Sequence, residues 1–217
     1  DFEMASGEIF GLLGPSGVGK STLVKVLIGI LPGWSGTVYL GDRALPTGDR
    51  LIYEDIGVAF EFPAFYSKLT ARENLRFFAS LYRRETRSPE ELLSSVGLAQ
   101  EGDKRLSDYS KGMKTRLNLC RALLPKPRFL ILDEPTSGLD PVNAAMVKRL
   151  IRHQKELGVT TLLTTHNMQV AEELCDRVAL MLDGAFRALD TPQALRDSLG
   201  SASVVVPPAT ARARNSS

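Results

Sequence analysis

The stretch Gly14-Pro15-Ser16-Gly17-Val18-Gly19-Lys20-Ser21-Thr22 reads G-x-x-x-x-G-K-[ST] and limits the possible folds more than any other part of the chain. Such a loop needs a buried strand before it and a helix after it. Glu8-Ile9-Phe10-Gly11-Leu12-Leu13 is apolar enough for the strand, and Leu23, Val26 and Leu27 recur at helical spacing between Lys20 and Ile28. Glycines let successive backbone N–H groups turn inward as an anion nest, and the following helix adds its positive end. Lys20 then reaches the β- and γ-phosphates, and the Ser21 hydroxyl is placed for Mg²⁺. The loop points to a nucleoside triphosphate.

The 217-residue chain has room for one large domain, or one domain with an insertion. Its net charge of +2 is too small to argue for nucleic acid or an anionic membrane. Cys120 and Cys175 lie in partly apolar, helix-like segments, so core thiols are expected rather than a disulfide or metal site. No apolar run approaches the ~18 residues of a membrane span, and no signal peptide is visible, which reads as cytosolic. The sequence begins at Asp1 without an initiator Met, so an N-terminal piece is expected to be missing.

Along the chain, Thr37–Leu40 runs as a strand into the tight turn Gly41-Asp42, and Ile56–Phe60 is a second strand. It breaks into the aromatic loop Glu61-Phe62-Pro63-Ala64-Phe65-Tyr66. From Thr70 to Leu124 the patterns turn helical, with Ser88-Pro89-Glu90-Glu91 as a helix start and an apolar stripe at Met113, Leu117, Cys120 and Leu124. Strands return at Phe129–Leu132 and Val159–Thr164, separated by a helix that Asp140-Pro141 opens. Arg177 to Leu189 reads as a hairpin about Asp183-Gly184. Strands alternating with helices imply an α/β fold with a mostly parallel central sheet, an antiparallel β portion and a helical insertion over 70–124. One domain is expected over 1–200, with 201–217 a disordered Ser-, Ala-, Pro- and Arg-rich tail.

Phe129-Leu130-Ile131-Leu132 delivers Asp133 and Glu134 to the C-terminal end of a buried strand, where α/β folds place ligands. Asp133 is the expected Mg²⁺ carboxylate, and Glu134 is placed to orient or deprotonate an attacking water. His166, after another strand, can sense a γ-phosphate through a hydrogen bond. His153, among charges in mid-helix, reads as solvated.

The order of P-loop, Glu61 loop, Tyr109-Ser110-Lys111-Gly112-Met113, Asp133-Glu134, Ser137-Gly138-Leu139-Asp140 and His166 resembles the nucleotide-binding domain of an ABC transporter over residues 1–200. The resemblance implies a P-loop NTPase fold whose helical insertion carries the family's signature, usually Leu-Ser-Gly-Gly-Gln and here Ser110, Lys111, Gly112 and Met113, of which Ser110 and Gly112 match while Lys111 and Met113 depart from the common form. It further implies a subunit that binds and hydrolyses ATP with Mg²⁺ and powers export by a separate transmembrane permease. Such a subunit sits on the cytoplasmic face of the membrane. Two copies, or a copy and a paralogue, close head to tail on two ATP molecules, with Ser137, Gly138, Leu139 and Asp140 at the dimer contact. No nucleic-acid partner is implied. The Ser-Lys-Gly-Met form resembles the multidrug and lipid exporter branch.

Two further departures qualify the match. Glu61 stands where the family usually has Gln, a residue linking Mg²⁺ and water to the permease; a carboxylate can ligate Mg²⁺ but donates nothing when ionised. The aromatic that the family stacks on adenine precedes the first residue here, and Phe2 lies too near the P-loop strand for that role, so weak discrimination between ATP and GTP is expected of this sequence. The loop Phe62–Tyr66, with Phe65 as its anchor, is expected near a groove for a permease helix. The basic run Lys111, Lys114, Arg116, Arg121, Lys126 and Arg128 is expected to be a solvated helix face. The competing function class is a soluble ABC ATPase acting on ribosomes or DNA, which usually has tandem nucleotide domains or a long coiled coil; this chain has one P-loop and no sustained heptads.

Overall fold

Side-chain alternation decides the centre of the fold. In β1 (Ile9–Leu13) every residue is buried, and successive residues part to opposite sides: Ile9 and Leu13 join one apolar cluster, Phe10 and Leu12 the other. A strand covered on both faces belongs between two layers. The protein is described by a computed structural model, over residues 2–45 and 50–201. After β1 come α1 (Lys20–Leu27), β2 (Val38–Leu40), β3 (Arg43–Leu45) and β4 (Ile56–Ala59). The helices α2 (Ala71–Ala79), α3 (Pro89–Ser95) and α4 (Lys111–Leu123) follow, then β5 (Phe129–Asp133), α5 (Pro141–Glu156) and β6 (Thr160–Thr165). The described part closes with α6 (Met168–Leu174), β7 (Arg177–Leu182), β8 (Ala185–Asp190) and α7 (Pro192–Ser201).

One six-stranded sheet has the order β4-β5-β6-β1-β7-β8. It is parallel from β4 through β7, and β8 returns antiparallel across the turn Asp183-Gly184, where both residues have positive φ. β2 and β3 form a separate antiparallel pair. α1 covers one face with Val24 and Ile28, and helices including α4 and α5 cover the other with Leu117, Leu123 and Ile151. The three helices between β4 and β5 leave and re-enter the sheet at neighbouring strands. Side-chain oxygens cap their starts as the sequence indicates: Ser88 accepts from Glu90 and Glu91 N–H, and Ser110 from Met113 N–H. Both cysteines are free and buried, and burial pushes their thiols up, Cys175 to about 12. Among the described residues no helix is long and apolar enough to cross a membrane.

One expectation needs correction. The basic run is not a single solvated face. Arg116 Nη1 donates to the Val96 carbonyl at 2.8 Å, closing the C-terminal end of α3, and Arg121 Nη1 donates to the Ala64 carbonyl at 3.1 Å while lying over Phe65 and Phe78. Long basic side chains reach carbonyls on neighbouring elements, and burial pulls the Arg121 pKa down. Ser201 is the last residue of α7, and the rest of the expected tail, residues 202–217, lies outside the described residues.

Close contact between α4 and β4 gives a stability test. A Cβ added at Gly57 would lie 2.1 Å from the Ala122 carbonyl oxygen, a backbone atom that cannot swing aside. Gly57→Ala should therefore lower unfolding free energy by roughly 1–3 kcal/mol, the range for an overpacked interior, and toward its upper end because the clash is with backbone. At Gly184 the added atom meets nothing within 4 Å, so there Ala should cost only the left-handed backbone penalty, about 1 kcal/mol. Urea denaturation of both variants measures the difference; equal midpoints would mean that α4 yields at this contact.

Candidate active site

Four segments meet at the C-terminal ends of β1, β5 and β6. The P-loop leaves β1 with the Gly14 N–H still donating to the Thr165 carbonyl at 3.2 Å, so its first residue is fixed to the neighbouring strand. A Cβ on Gly14 would fall 2.3 Å from the Met181 carbonyl oxygen, and only glycine fits. Gly19 (φ 109) takes the N-cap of α1, where no side chain caps and no acid stands in the first turn. Among the described residues no acceptor is shown for the first N–H groups of that helix, which suits them to an anion. Pro15, Ser16, Gly17 and Thr22 are exposed around this end, Val18 and Ser21 partly so. Lys20 is 6% exposed, and its Nζ donates back to the Gly14 carbonyl at 2.6 Å and the Pro15 carbonyl at 3.1 Å.

β5 sets Asp133 opposite Thr164 of β6. Thr164 Oγ1 donates to Asp133 Oδ1 at 2.5 Å and accepts the Glu134 N–H at 3.1 Å. One hydroxyl therefore serves both acidic residues. Glu134 has φ 51, a left-handed backbone that costs a residue with a side chain on the order of 1–3 kcal/mol. That turn points its carboxylate back over the P-loop. Glu134 Oε1 lies 2.9 Å from His166 Nδ1 and 3.7 Å from Lys20 Nζ. Residues from three distant stretches, Lys20, Glu134 and His166, form one contiguous line. His153 is in an exposed contact with Glu156 on α5.

Glu61 follows β4 and joins Asp133, Glu134, Lys111, Asn118 and Ser137 around a small cavity of about 10 Å³. Ser137 N–H donates to the Glu134 carbonyl at 3.1 Å, and Asp140 caps α5, so residues 137–140 connect the β5 carboxylates to that helix. The signature segment rests on this turn. A Cβ on Gly138 (φ +70) would come 3.2 Å from Lys111 Nζ, and one on Gly112 3.4 Å from Leu139 Cδ2. Met113 turns its side chain to the apolar core, so it offers no polar group where the family usually has Gln.

In the aromatic loop, Phe62 is 78% exposed, whereas Phe65 packs edge-on against Phe78 under Arg121. Phe65 is therefore braced within its own chain, and the ring that its loop leaves most exposed is Phe62. Phe2 stacks on Phe10 at 5.1 Å and meets Phe186 edge-on, which occupies its ring. Thr164 and Asn118 were not signalled by any motif. The cue for Thr164 is that four of the six residues of the buried strand β6 are threonines, since a hydroxyl there must find a partner.

Among the described residues no three His, Cys, Asp or Glu side chains are grouped to hold a metal ion. Asp133 keeps its second carboxylate oxygen clear of hydrogen bonds among the described residues, and Ser21 supplies a hydroxyl at the P-loop. One carboxylate and one hydroxyl suit Mg²⁺ that arrives with nucleotide phosphates and keeps several waters.

Comparison with known proteins fits this geometry. Residues 1–137 match the family model described as ABC transporter. A fluoroquinolones export ATP-binding protein of Mycobacterium tuberculosis is 52% identical over 90% of this chain and 65% of its own length. A Nod factor export ATP-binding protein of Rhizobium meliloti is 42% identical over 90% of this chain and 60% of its own. The chain thus spans less than two thirds of these relatives. An ATP-binding cassette solved as a dimer in a post-hydrolysis state with ADP and Pi is 25% identical, with TM-score 0.78 over 88% of each chain. A solved ATP-binding subunit of an ABC transporter is 30% identical, with TM-score 0.80 over 92% of this chain and 85% of the other.

The shared Thr164 hydroxyl can be tested directly. Thr164→Val keeps the shape but leaves the buried Asp133 carboxylate without its donor, and should cost roughly 1–3 kcal/mol of unfolding free energy. Thr164→Ser should recover most of that loss. A Val variant as stable as the parent would show that Asp133 does not depend on this bond.

Proposed function

The chain belongs to the ABC transporter family, and from that premise we propose that it is the ATP-binding and ATP-hydrolysing part of an exporter, acting with a separate membrane permease at the cytoplasmic face. The observation that carries the reading is the line Lys20–Glu134–His166 beside an uncapped helix start. The P-loop N–H groups and Lys20 hold the β- and γ-phosphates. Ser21 and Asp133 would hold the Mg²⁺ that accompanies them, with Glu61 at the same end of the site. The metal screens phosphate charge and polarises the terminal phosphate.

Lys20 has three N–H donors, two of them engaged by the Gly14 and Pro15 carbonyls while the ammonium also faces Glu134. A phosphate competing for that ammonium loosens its hold on Glu134. The carboxylate can then accept a proton from the attacking water while His166 keeps it oriented and contacts the γ-phosphate. Two copies, or this chain and a paralogue, complete each site. Ser110, Lys111, Gly112 and Met113 at the start of α4 in one meet the γ-phosphate held by the other. Ser137, Gly138, Leu139 and Asp140 transmit between the two sites. The export names of the relatives favour a transporter over an ATPase working on ribosomes or DNA.

Lys20→Ala should weaken ATP binding at least about tenfold, since a buried ammonium aimed at phosphate is worth more than 1.4 kcal/mol. Glu134→Gln should bind ATP within about threefold of the parent yet hydrolyse it about 10²- to 10⁴-fold more slowly, because an amide cannot take the proton. Equilibrium nucleotide binding and phosphate release check both; rapid turnover by Glu134→Gln would remove it as the base. At the membrane side, Phe62→Ala should leave hydrolysis by the isolated chain unchanged and abolish stimulation by the permease in lipid vesicles. If stimulation survives, the exposed Phe62 ring is not the contact.

A further inference from the structure

The helix that begins at Ser110 carries a buried polar residue that none of the roles above uses. Asn118 is 3% exposed and sits among Leu117, Leu119 and Cys120, all buried against the core. Its Nδ2 donates to the Phe60 carbonyl at 2.6 Å, and Phe60 links the end of β4 to Glu61. The reverse amide orientation would set oxygen against oxygen, so the bond fixes which way the group points. Its Oδ1 is then buried and accepts no hydrogen bond among the described residues. An apolar side chain would satisfy the helix face better, because an unmatched buried carbonyl is costly.

That side chain borders the small cavity already described, shared with Glu61, Asp133 and Glu134. At about 10 Å³ the space approaches the size of one water molecule. Carboxylates and an amide oxygen are all acceptors, so none can satisfy another. Of the nearby donors, Thr115 Oγ1 already donates to the Lys111 carbonyl, and the Lys111 ammonium lies against Gly138. A species with two hydrogens and a small volume fits: water.

We infer that Asn118 is a positioning residue that ties α4 to the Glu61 loop and, through Oδ1, holds a buried water between Glu61, Asp133 and Glu134. The tie stands on the structure alone; its bearing on hydrolysis rests on the proposed function. One hydrogen bond thereby joins the helix whose start faces a second copy to the loop that serves this copy's own Mg²⁺.

Asn118→Leu removes donor and acceptor at similar volume, and Asn118→Asp keeps the acceptors and size but loses the amide donor. Hydrogen–deuterium exchange of the nucleotide-free chain should show amides over residues 61–66 exchanging at least tenfold faster in both variants, with β5 and β6 unchanged. Parent-like exchange in both would overturn the tie. In steady-state hydrolysis, Asn118→Leu should lower kcat at least tenfold with KM within twofold. In a Glu61→Ala background the same change should add less than a twofold loss. A full multiplicative loss there would overturn action through Glu61. A high-resolution X-ray map of the parent chain without a water in hydrogen-bond reach of Oδ1 would overturn the water. If the parent chain hydrolyses no ATP, the proposed function fails while the exchange measurement still decides the tie.

Discussion

A carboxylate buried at the end of a β-strand must be supplied with hydrogen bonds, and much of this structure depends on how Asp133 receives one. Its donor is Thr164 on the adjacent strand, so the acid is held only if β5 and β6 keep their register. The same hydroxyl accepts from Glu134 N–H and helps to keep that residue in a left-handed turn. The turn, in turn, brings Glu134 to Lys20 and His166. Sheet register is thereby converted into the relative positions of a base candidate, a phosphate-directed cation and a half-exposed imidazole. The long core strands beneath are buried on both faces, which leaves that register little freedom to slip.

Much of this was legible from the chain itself, because the residues concerned obey local rules. The P-loop spacing, the apolar strands ending in Asp133 or preceding His166, and the caps Ser88, Ser110 and Asp140 each announce their structure within a few positions. What could not be read depends on partners far away in sequence. The Asn118 bond to Phe60 spans 58 residues and Thr164 to Asp133 spans 31, and neither residue type is unusual where it stands. Arg121 and Phe65 show the same limit. A basic residue and a loop aromatic both suggested surface, yet they cover each other, because a guanidinium over an aromatic face tolerates partial burial. The short helices α6 and α7 carried no strong periodic signal and were missed.

The departures from the family pattern have a common physical consequence. Lys111 replaces a small residue in the signature, and its stem runs across Gly138, so two segments expected at a dimer contact already touch within one chain. Met113 substitutes packing for hydrogen bonding at the same helix start. Together they seat α4 on the turn after β5, one with a stem across Gly138 and the other with a thioether in the core. Ser110 Oγ accepts the Met113 N–H, which keeps the helix start in order.

The left-handed backbone of Glu134 carries an evolutionary consequence. Most substitutions at a buried site lower stability, so the fold itself resists them; here the fold offers little such resistance. Glycine or asparagine would occupy φ 51 with less strain than glutamate, and neither would disturb the strand beneath. Stability alone would let this acid drift away, so under the proposed function its retention rests on selection for activity. Gly14 is the opposite case, fixed by a carbonyl 2.3 Å from any Cβ, and would persist even in descendants that had lost turnover. Gene copies that decay into regulators should therefore keep an intact phosphate cradle long after the acid is gone.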